Sequence, residues 1–347
     1  MQTYFSADHA LHAPSFELHG GAMVEPFERS SRIDSVLERL ASRGFEAPRA
    51  PGELDMAPVR VVHDAGYLHF LETAWEEWNR AGLSGDVIAN ANCARRMPAV
   101  REPRRIDARA AYYALAADTA ITRTTWRAAS SSAASAVAAA RHVAAGGGSA
   151  FALCRPPGHH AAIDMFGGYC FLNNAAIAAA TLQLAGANRL AIIDVDFHHG
   201  NGTQDIFYAC GDTLTLSIHG HPDFAYPYFS GLAAETGVGS GEGANANYPL
   251  SAGTTWSTWS RAFESCLQRV RAFGPDALIV ALGVDTFEDD PISSFALRSS
   301  DYLRIGEQLG GVAVPTVFCM EGGYAVDSVG LNVVNVLEGF LSERAAR

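Results

Sequence analysis

The stretch Leu190-Ala191-Ile192-Ile193-Asp194-Val195-Asp196-Phe197-His198-His199-Gly200-Asn201-Gly202 decides how this chain is read. A short, continuous apolar run opens directly into Asp194, Asp196 and His198, spaced by two. Such a run reads as a strand buried on both faces, as in a parallel sheet. Alternation along an extended chain puts the three polar side chains on one side, at the strand's carboxyl end. Open α/β sheets bind their ligands at that end. Two carboxylates and an imidazole crowded together require a compensating cation, and a metal ion is the obvious one.

Working outward, residues 3–6, 59–62, 150–154, 213–218, 277–282 and 314–319 also read as short strands. Helical patterns over 32–43, 67–80, 126–145, 174–184, 259–273, 300–309 and 331–341 alternate with several of them. This alternation predicts an α/β domain around a mostly parallel sheet. The run of small residues near 130–140 suits a helix packed closely on its neighbours, ended by Gly146-Gly147-Gly148. Two stretches, 82–109 and 220–253, resist regular assignment; long loops in a compact domain tend to be functional. No repeat or linker divides the chain, so a single domain over 1–347 is expected.

Three more strand ends carry chemistry. The run 277–282 leads to Asp285, which pairs with Asp196 and His198 as an Asp–His–Asp ligand set. Three protein ligands leave coordination open for water and substrate, the catalytic arrangement rather than the closed structural one. The run 150–154 leads into Arg155-Pro156-Pro157-Gly158-His159-His160, an imidazole pair on a rigid turn, suited to moving a proton near neutral pH. The last run leads into Glu321-Gly322-Gly323-Tyr324, whose hydroxyl is placed to stabilise an oxyanion. Metal ligands, a proton-transfer pair and an oxyanion donor together predict hydrolysis of an amide.

The whole chain constrains the partners. With 25 basic against 37 acidic residues the net charge is −12, which argues against nucleic acid and favours cationic substrates. No apolar run reaches the roughly 18 residues of a membrane span. The N-terminus lacks a basic start and an apolar h-region, so a cytoplasmic location is expected. The six cysteines show no C-x-x-C pair and are expected as reduced thiols.

The motifs Arg155-Pro-Pro-Gly-His-His, Asp194-Val-Asp-Phe-His-His-Gly-Asn-Gly-Thr-Gln, Gly283-Val-Asp-Thr-Phe and Glu321-Gly-Gly-Tyr together resemble the zinc-dependent histone deacetylase superfamily, most closely its bacterial acetylpolyamine amidohydrolases. Glu17-Leu-His-Gly-Gly and Phe166-Gly-Gly-Tyr-Cys-Phe-Leu-Asn-Asn extend the resemblance over nearly the whole chain. The resemblance implies an arginase/deacetylase-like three-layer α/β/α fold with a central, mostly parallel sheet of about eight strands. It implies one Zn2+ per subunit on Asp196, His198 and Asp285, with Fe2+ or Co2+ as other possible occupants. It makes His160 the general base and acid, His159 with Asp194 its electrostatic support, Asn201 the partner of His160, and Tyr324 the carbonyl polariser. Structural K+ or Na+ ions are implied too, the first at Asp194, Asp196, His198, Ser217 and Ile218.

By the same resemblance, Gly168, Tyr169 and Tyr226 line a substrate tunnel, and Glu17, Asp107 and Asp118 are acids near its mouth. A neutral Asn201, in place of the Asp that some relatives carry, leaves His160 less basic. The segment about 82–109 corresponds to an insertion that pairs subunits, so a homodimer is implied. The implied substrates are acetylated diamines and polyamines of the acetylputrescine, acetylcadaverine and acetylspermidine type. A protein acetyl-lysine deacetylase would share every catalytic residue and stands as the alternative. An arginase-type ureohydrolase would need further carboxylates where Phe197, His199 and Asn201 stand. A catalytically dead amine sensor is disfavoured by the intact residue set.

Overall fold

The computed structural model describes residues 1–93, 97 and 101–347. Its nine strands are β1 (Gln2–Tyr4), β2 (Glu17–His19), β3 (Ala22–Val24), β4 (Ser149–Ala152), β5 (Leu190–Asp194), β6 (Thr213–Gly220), β7 (Asn245–Leu250), β8 (Ala277–Leu282) and β9 (Thr316–Met320). Seven form one sheet in the order β1-β4-β9-β8-β5-β6-β7, every pairing parallel. β2 and β3 make a separate antiparallel hairpin. The sheet is therefore wholly parallel, and among the described residues it has seven strands rather than eight.

Residues alternate between the two faces, and each face is covered. Ile192, Ile279, Ala281 and Val317 pack beneath the helices Met56–Val62, Ala65–Arg80, Thr125–Ala144 and Asn174–Leu184. Ile193, Val280, Leu282 and Phe318 pack on the other face, against Ser31–Ser42, Trp256–Phe273, Ser299–Gly310 and Val326–Ala345. This is the three-layer α/β/α arrangement, in which a strand apolar on both faces is the only kind that fits.

Most expected elements are present within a few residues, with two corrections. Residues 59–62 are not a strand. They end the helix Met56–Val62, whose N-cap Asp55 accepts from the Ala57 N–H at 2.9 Å. Pro58 is tolerated in a first turn, and Val59 and Val62 face the core three residues apart. The irregular reading of 220–253 misses β7, whose Asn245-Ala-Asn-Tyr-Pro-Leu sequence lacks a buried apolar run because the strand lies at the sheet edge. The loop 221–244 thus leaves the end of β6 and returns as its neighbour β7. In the expected insertion 82–109, residues 94–96 and 98–100 lie outside the described residues; its last residues begin the helix Ile106–Tyr113. Cys154, Cys170, Cys266 and Cys319 are buried thiols. Among the described residues no helix is long and apolar enough to cross a membrane.

Candidate active site

In the sheet order, β4, β9, β8 and β5 are consecutive, so the four chemistry-bearing strand ends are neighbours at its centre. β5 ends at Asp194, four residues short of His198, so strand alternation does not place Asp196 and His198. Asp196 and His198 are aimed by short hydrogen-bonded turns instead. Asp194 Oδ1 accepts from the Asp196 N–H at 3.1 Å, and Asp196 Oδ1 from the His198 N–H at 2.9 Å. Polar side chains that bond the backbone two residues on shape such turns.

Asp196, His198 and Asp285 offer ligand atoms within 4.8 Å of one another, all buried. His198 Nδ1 lies 2.9 Å from Asp285 Oδ2 and 3.2 Å from Asp196 Oδ1. Burial opposes a charge on this ring, yet hydrogen bonds to Asp196 and Asp285 raise its pKa to about 10. Two buried carboxylates that draw a proton onto an imidazole have the electrostatics of a cation site, and the donor set suits a divalent ion. The outer oxygens are fixed as well, Asp285 Oδ1 by the Phe197 N–H at 2.6 Å and Asp196 Oδ2 by the Gly322 N–H at 2.8 Å. At Gly322 a Cβ would stand 2.5 Å from Asp196 Oδ2 and 2.8 Å from Asp285 Oδ2. Only glycine lets the backbone come this close.

Beside this cluster the two imidazoles lie 4.0 Å apart between ring centroids. His159 Nδ1 is 2.9 Å from Asp194 Oδ2. Burial disfavours its protonation, but the charges of Asp196 and Asp194 and the hydrogen bond to Asp194 hold its pKa well above the usual histidine value. His160 goes the other way: burial, then the neighbouring His159 and His198, pull it well below. The two environments push the rings apart, favouring a charged His159 and a neutral His160. Asn201 Oδ1 sits 2.7 Å from His160 Nδ1, while Asn201 Nδ2 points to the His160 carbonyl at 3.4 Å. Nδ1 is then the donor and Nε2 the free lone pair.

The turn carrying this pair is braced from below. Ser132, in the small-residue helix, donates to the Pro156 carbonyl at 2.8 Å, and Asn173 Nδ2 donates to the Ala161 carbonyl at 3.0 Å.

Tyr324 is buried, and burial raises its hydroxyl well above the usual phenol value, so it remains a donor. Its N–H is held by Asp290 Oδ2 at 2.7 Å. The Arg32 guanidinium lies 4.8 Å from its ring centroid and donates to the Gly323 carbonyl at 2.6 Å and the Glu321 carbonyl at 2.5 Å. Arg32 and Arg155 share Glu28 Oε1, each at 2.8 Å. Burial works against the Glu28 charge, but Arg155 and Arg32 hold its pKa down to about 2. Sequence reasoning missed Arg32, Glu28 and Asp290. An arginine in an amphipathic helix reads as solvent-facing, and no spacing signals otherwise.

A cavity of about 810 Å3 opens above these groups, with His160, His198 and Tyr324 at its base. Gly168, Tyr169 and Tyr226 line it. The Tyr226 ring meets His160 edge-on at 5.0 Å, and Tyr169 meets Tyr324 at 5.7 Å. Gly168 has φ +53°, and a Cβ there would stand 2.2 Å from His160 Cδ2, so the wall at this point has to be bare backbone.

Glu17 and Asp118 also line the cavity. Glu17 is 3 % exposed; its oxygens accept from the Tyr169 hydroxyl at 3.0 Å and the Phe27 N–H at 3.1 Å. It therefore ties the β2–β3 hairpin to the wall. Burial raises its pKa, and burial raises that of Asp118, which accepts from Thr119 at 2.7 Å. Within this chain Asp107, near the start of the helix Ile106–Tyr113, pairs with Arg105 at 2.9 Å and lines a separate depression with Glu77 and Arg80 rather than this cavity. On the far side of the ligand cluster, strand register sets Asp194 opposite Ser217, followed by Ile218.

Comparison with known proteins agrees with this geometry. The family model for the histone deacetylase domain matches residues 26–340. The chain is 52% identical over 340 residues to acetylpolyamine amidohydrolase 2 of Pseudomonas aeruginosa, covering 98% of each chain. It is 52% identical over 339 residues to the acetylpolyamine amidohydrolase of Mycoplana ramosa, covering 98% of this chain and 99% of that one. A crystal structure of acetylpolyamine aminohydrolase from Burkholderia pseudomallei superposes with a TM-score of 0.94 at 39% identity, covering 99% of both chains. The fold, the buried ligand cluster and full-length similarity place this chain in the histone deacetylase family, among its amide-hydrolysing members.

Proposed function

We propose that this chain is a zinc-dependent deacetylase of small cationic acetylated amines, releasing acetate from acetylated diamines and polyamines. The observation that carries the substrate class is the cavity wall. It combines aromatic rings with Glu17 and Asp118, and no lysine or arginine is among its described lining residues. An alkyl chain fits between Tyr169 and Tyr226, and a distal ammonium is attracted by the carboxylates and ring faces. The full-length similarity to two acetylpolyamine amidohydrolases supports the same reading.

Zinc held by Asp196, His198 and Asp285 would supply Lewis-acid polarisation of the acetyl carbonyl and of a water molecule. Iron or cobalt fits the same donors. The Tyr324 hydroxyl donates a hydrogen bond to the acetyl oxygen as negative charge builds there. His160 Nε2 takes the proton of the attacking water and returns it to the departing amine. His159, whose charge is favoured by Asp196 and Asp194, offsets negative charge in the pocket. The tyrosine walls hold the amide against these groups and exclude bulk water.

Asp194, Ser217 and Ile218, with Asp196 and His198, are proposed to hold a structural K+ or Na+ ion behind the catalytic cluster. A homodimer through the 82–109 insertion is proposed as well; Asn92 of that insertion reaches the cavity edge, which is what a partner narrowing the entrance requires. Sedimentation velocity checks it, and a monomer at micromolar concentration would refute it. The deciding experiment for substrate compares kcat/KM for N-acetylputrescine, N-acetylcadaverine and an acetyl-lysine peptide on metal-loaded enzyme. The expected order puts the diamines first by at least about tenfold, a difference of about 1.4 kcal/mol. Preference for the peptide would establish the protein-deacetylase alternative.

A further inference from the structure

The turn Glu321–Tyr324 touches a different functional segment with each residue. The Gly322 N–H binds Asp196, the Tyr324 N–H binds Asp290, and the carbonyls of Glu321 and Gly323 are held by Arg32. The remaining link is the Glu321 side chain, which the hydrolytic chemistry does not use. Its Oε2 accepts from the Gly158 N–H at 2.7 Å and from the His159 N–H at 3.1 Å. These are consecutive peptide groups at the head of the turn that carries His159 and His160.

The carboxyl is fully buried, and its other oxygen, Oε1, has no hydrogen-bond partner. Burying a half-satisfied carboxyl is unfavourable for stability, and an apolar side chain of similar volume would cost less. Its geometry serves something else. Two successive N–H groups converging on one oxygen fix the orientation of the peptide planes between them. The His159 ring is fixed from the opposite side by Asp194 at 2.9 Å. The imidazole pair is thus set at both ends, by β5 through Asp194 and by β9 through Glu321.

We propose that Glu321 is a positioning residue that sets the register between the His159–His160 turn and Tyr324. Both must reach the same acetyl group from different strands, β4 and β9, and misplacement by about 1 Å costs on the order of a hundredfold in rate. Burial, opposed by the His159 charge, lifts the Glu321 pKa to about 7. An amide is therefore a fair substitute for this side chain.

The test uses full-length, metal-loaded enzyme and three substitutions. Glu321→Met and Glu321→Ala both remove the acceptor, the first while filling its space, so a folded variant without it is obtained even if one is unstable. Glu321→Gln keeps an oxygen for the two N–H groups. The expected result is a kcat for acetylputrescine lowered about 10- to 100-fold in Met or Ala, with KM within about twofold. Gln restores kcat to within about threefold. In parallel, the downfield proton resonance of His159 Nδ1 shifts or broadens in Met and Ala and returns in Gln, with metal content unchanged throughout.

Wild-type kcat in the Met or Ala variant, or a Gln variant as impaired as Met, overturns the proposal. So does a loss confined to melting temperature. The inference rests on the deacetylase reading, which the unmodified enzyme tests in the same assay. Should that enzyme hydrolyse no acetylated amine, the proton resonance still decides the role of Glu321.

Discussion

The base and the rim of the same cavity are built on opposite principles. The base consists of strand ends, and its groups are fastened crosswise to one another: Asp196 to Gly322, Asp285 to Phe197, His159 to Asp194 and to Glu321. The rim consists of loops that keep large apolar surfaces in solvent, with Tyr228 53 % and Phe229 93 % exposed. It is attached at a few points, such as Glu17 to Tyr169 and Asp290 to the Ile292 N–H at 3.1 Å. The difference teaches that bond cleavage and substrate choice are separable here. The first depends on sub-ångström placement within a rigid core, the second on contacts that a loop can redistribute.

The largest break in this contrast comes from removing a ligand at the base. Asp285→Ala is expected to abolish measurable hydrolysis and to lower bound metal, measured by mass spectrometry, to about one-tenth of the wild-type content or less. Next come the groups proposed to act on the substrate. His160→Ala lowers kcat by about 10^2 to 10^4 and Tyr324→Phe by about 10^2 to 10^3. In both, KM stays within about twofold, as the rim is intact; a large rise in KM would show that base and rim are not separable.

A smaller effect separates charge from geometry at His160. As the proposed base, His160 must be unprotonated, so the rate is expected to fall as pH drops through its pKa. Burial, His159 and His198 depress that pKa, which puts the midpoint of the acid limb of kcat/KM below the ordinary histidine value of about 6.5. Asn201→Asp places a negative charge 2.7 Å from Nδ1 and favours the imidazolium. The midpoint then moves to higher pH by about one unit. A profile unchanged by Asn201→Asp would mean that another group carries the acid limb. The smallest effect belongs to the rim. Asp118→Asn removes one partly screened attraction for a distal ammonium, worth about 1 kcal/mol. Acetylputrescine should show roughly a fivefold rise in KM with kcat unchanged.

The base was legible in the sequence because its physics is local. Asp194, Asp196 and His198 follow a run too apolar to be anything but buried, and Asp285, His159 and Tyr324 repeat that pattern on three other strands. The order β4-β9-β8-β5 that makes these ends adjacent had no local signal. Neither had the crosswise contacts. Glu321 and Arg32 are charged residues whose burial depends on partners more than a hundred positions away, Gly158 and Gly323 among them. Residues 59–62 were misread because a β-branched run of this length fits a strand and a short helix equally. β7 was missed because Asn245, Asn247 and Pro249 mask an edge strand. For Asp107 the sequence carries no local signal, since a surface helix start and a cavity acid look alike in one dimension.

The loop between β6 and β7 carries Tyr226, Tyr228 and Phe229, and it departs from and returns to adjacent strands whose register is fixed from Thr215–Asn245 to Gly220–Leu250. Its interior is moored by Glu235, which accepts from the Gly231 N–H at 2.9 Å and from Gln204 at 2.7 Å. Because these strands are parallel, the loop has to cross from the carboxyl end of β6 to the amino end of β7, and only its first part, Phe224–Phe229, lines the cavity. The closure cost of such a loop rises only with the logarithm of its length, so that part can be lengthened or swapped cheaply. In evolution or in the laboratory it can act as a cassette, recombined between relatives to change diet without touching the catalytic strands.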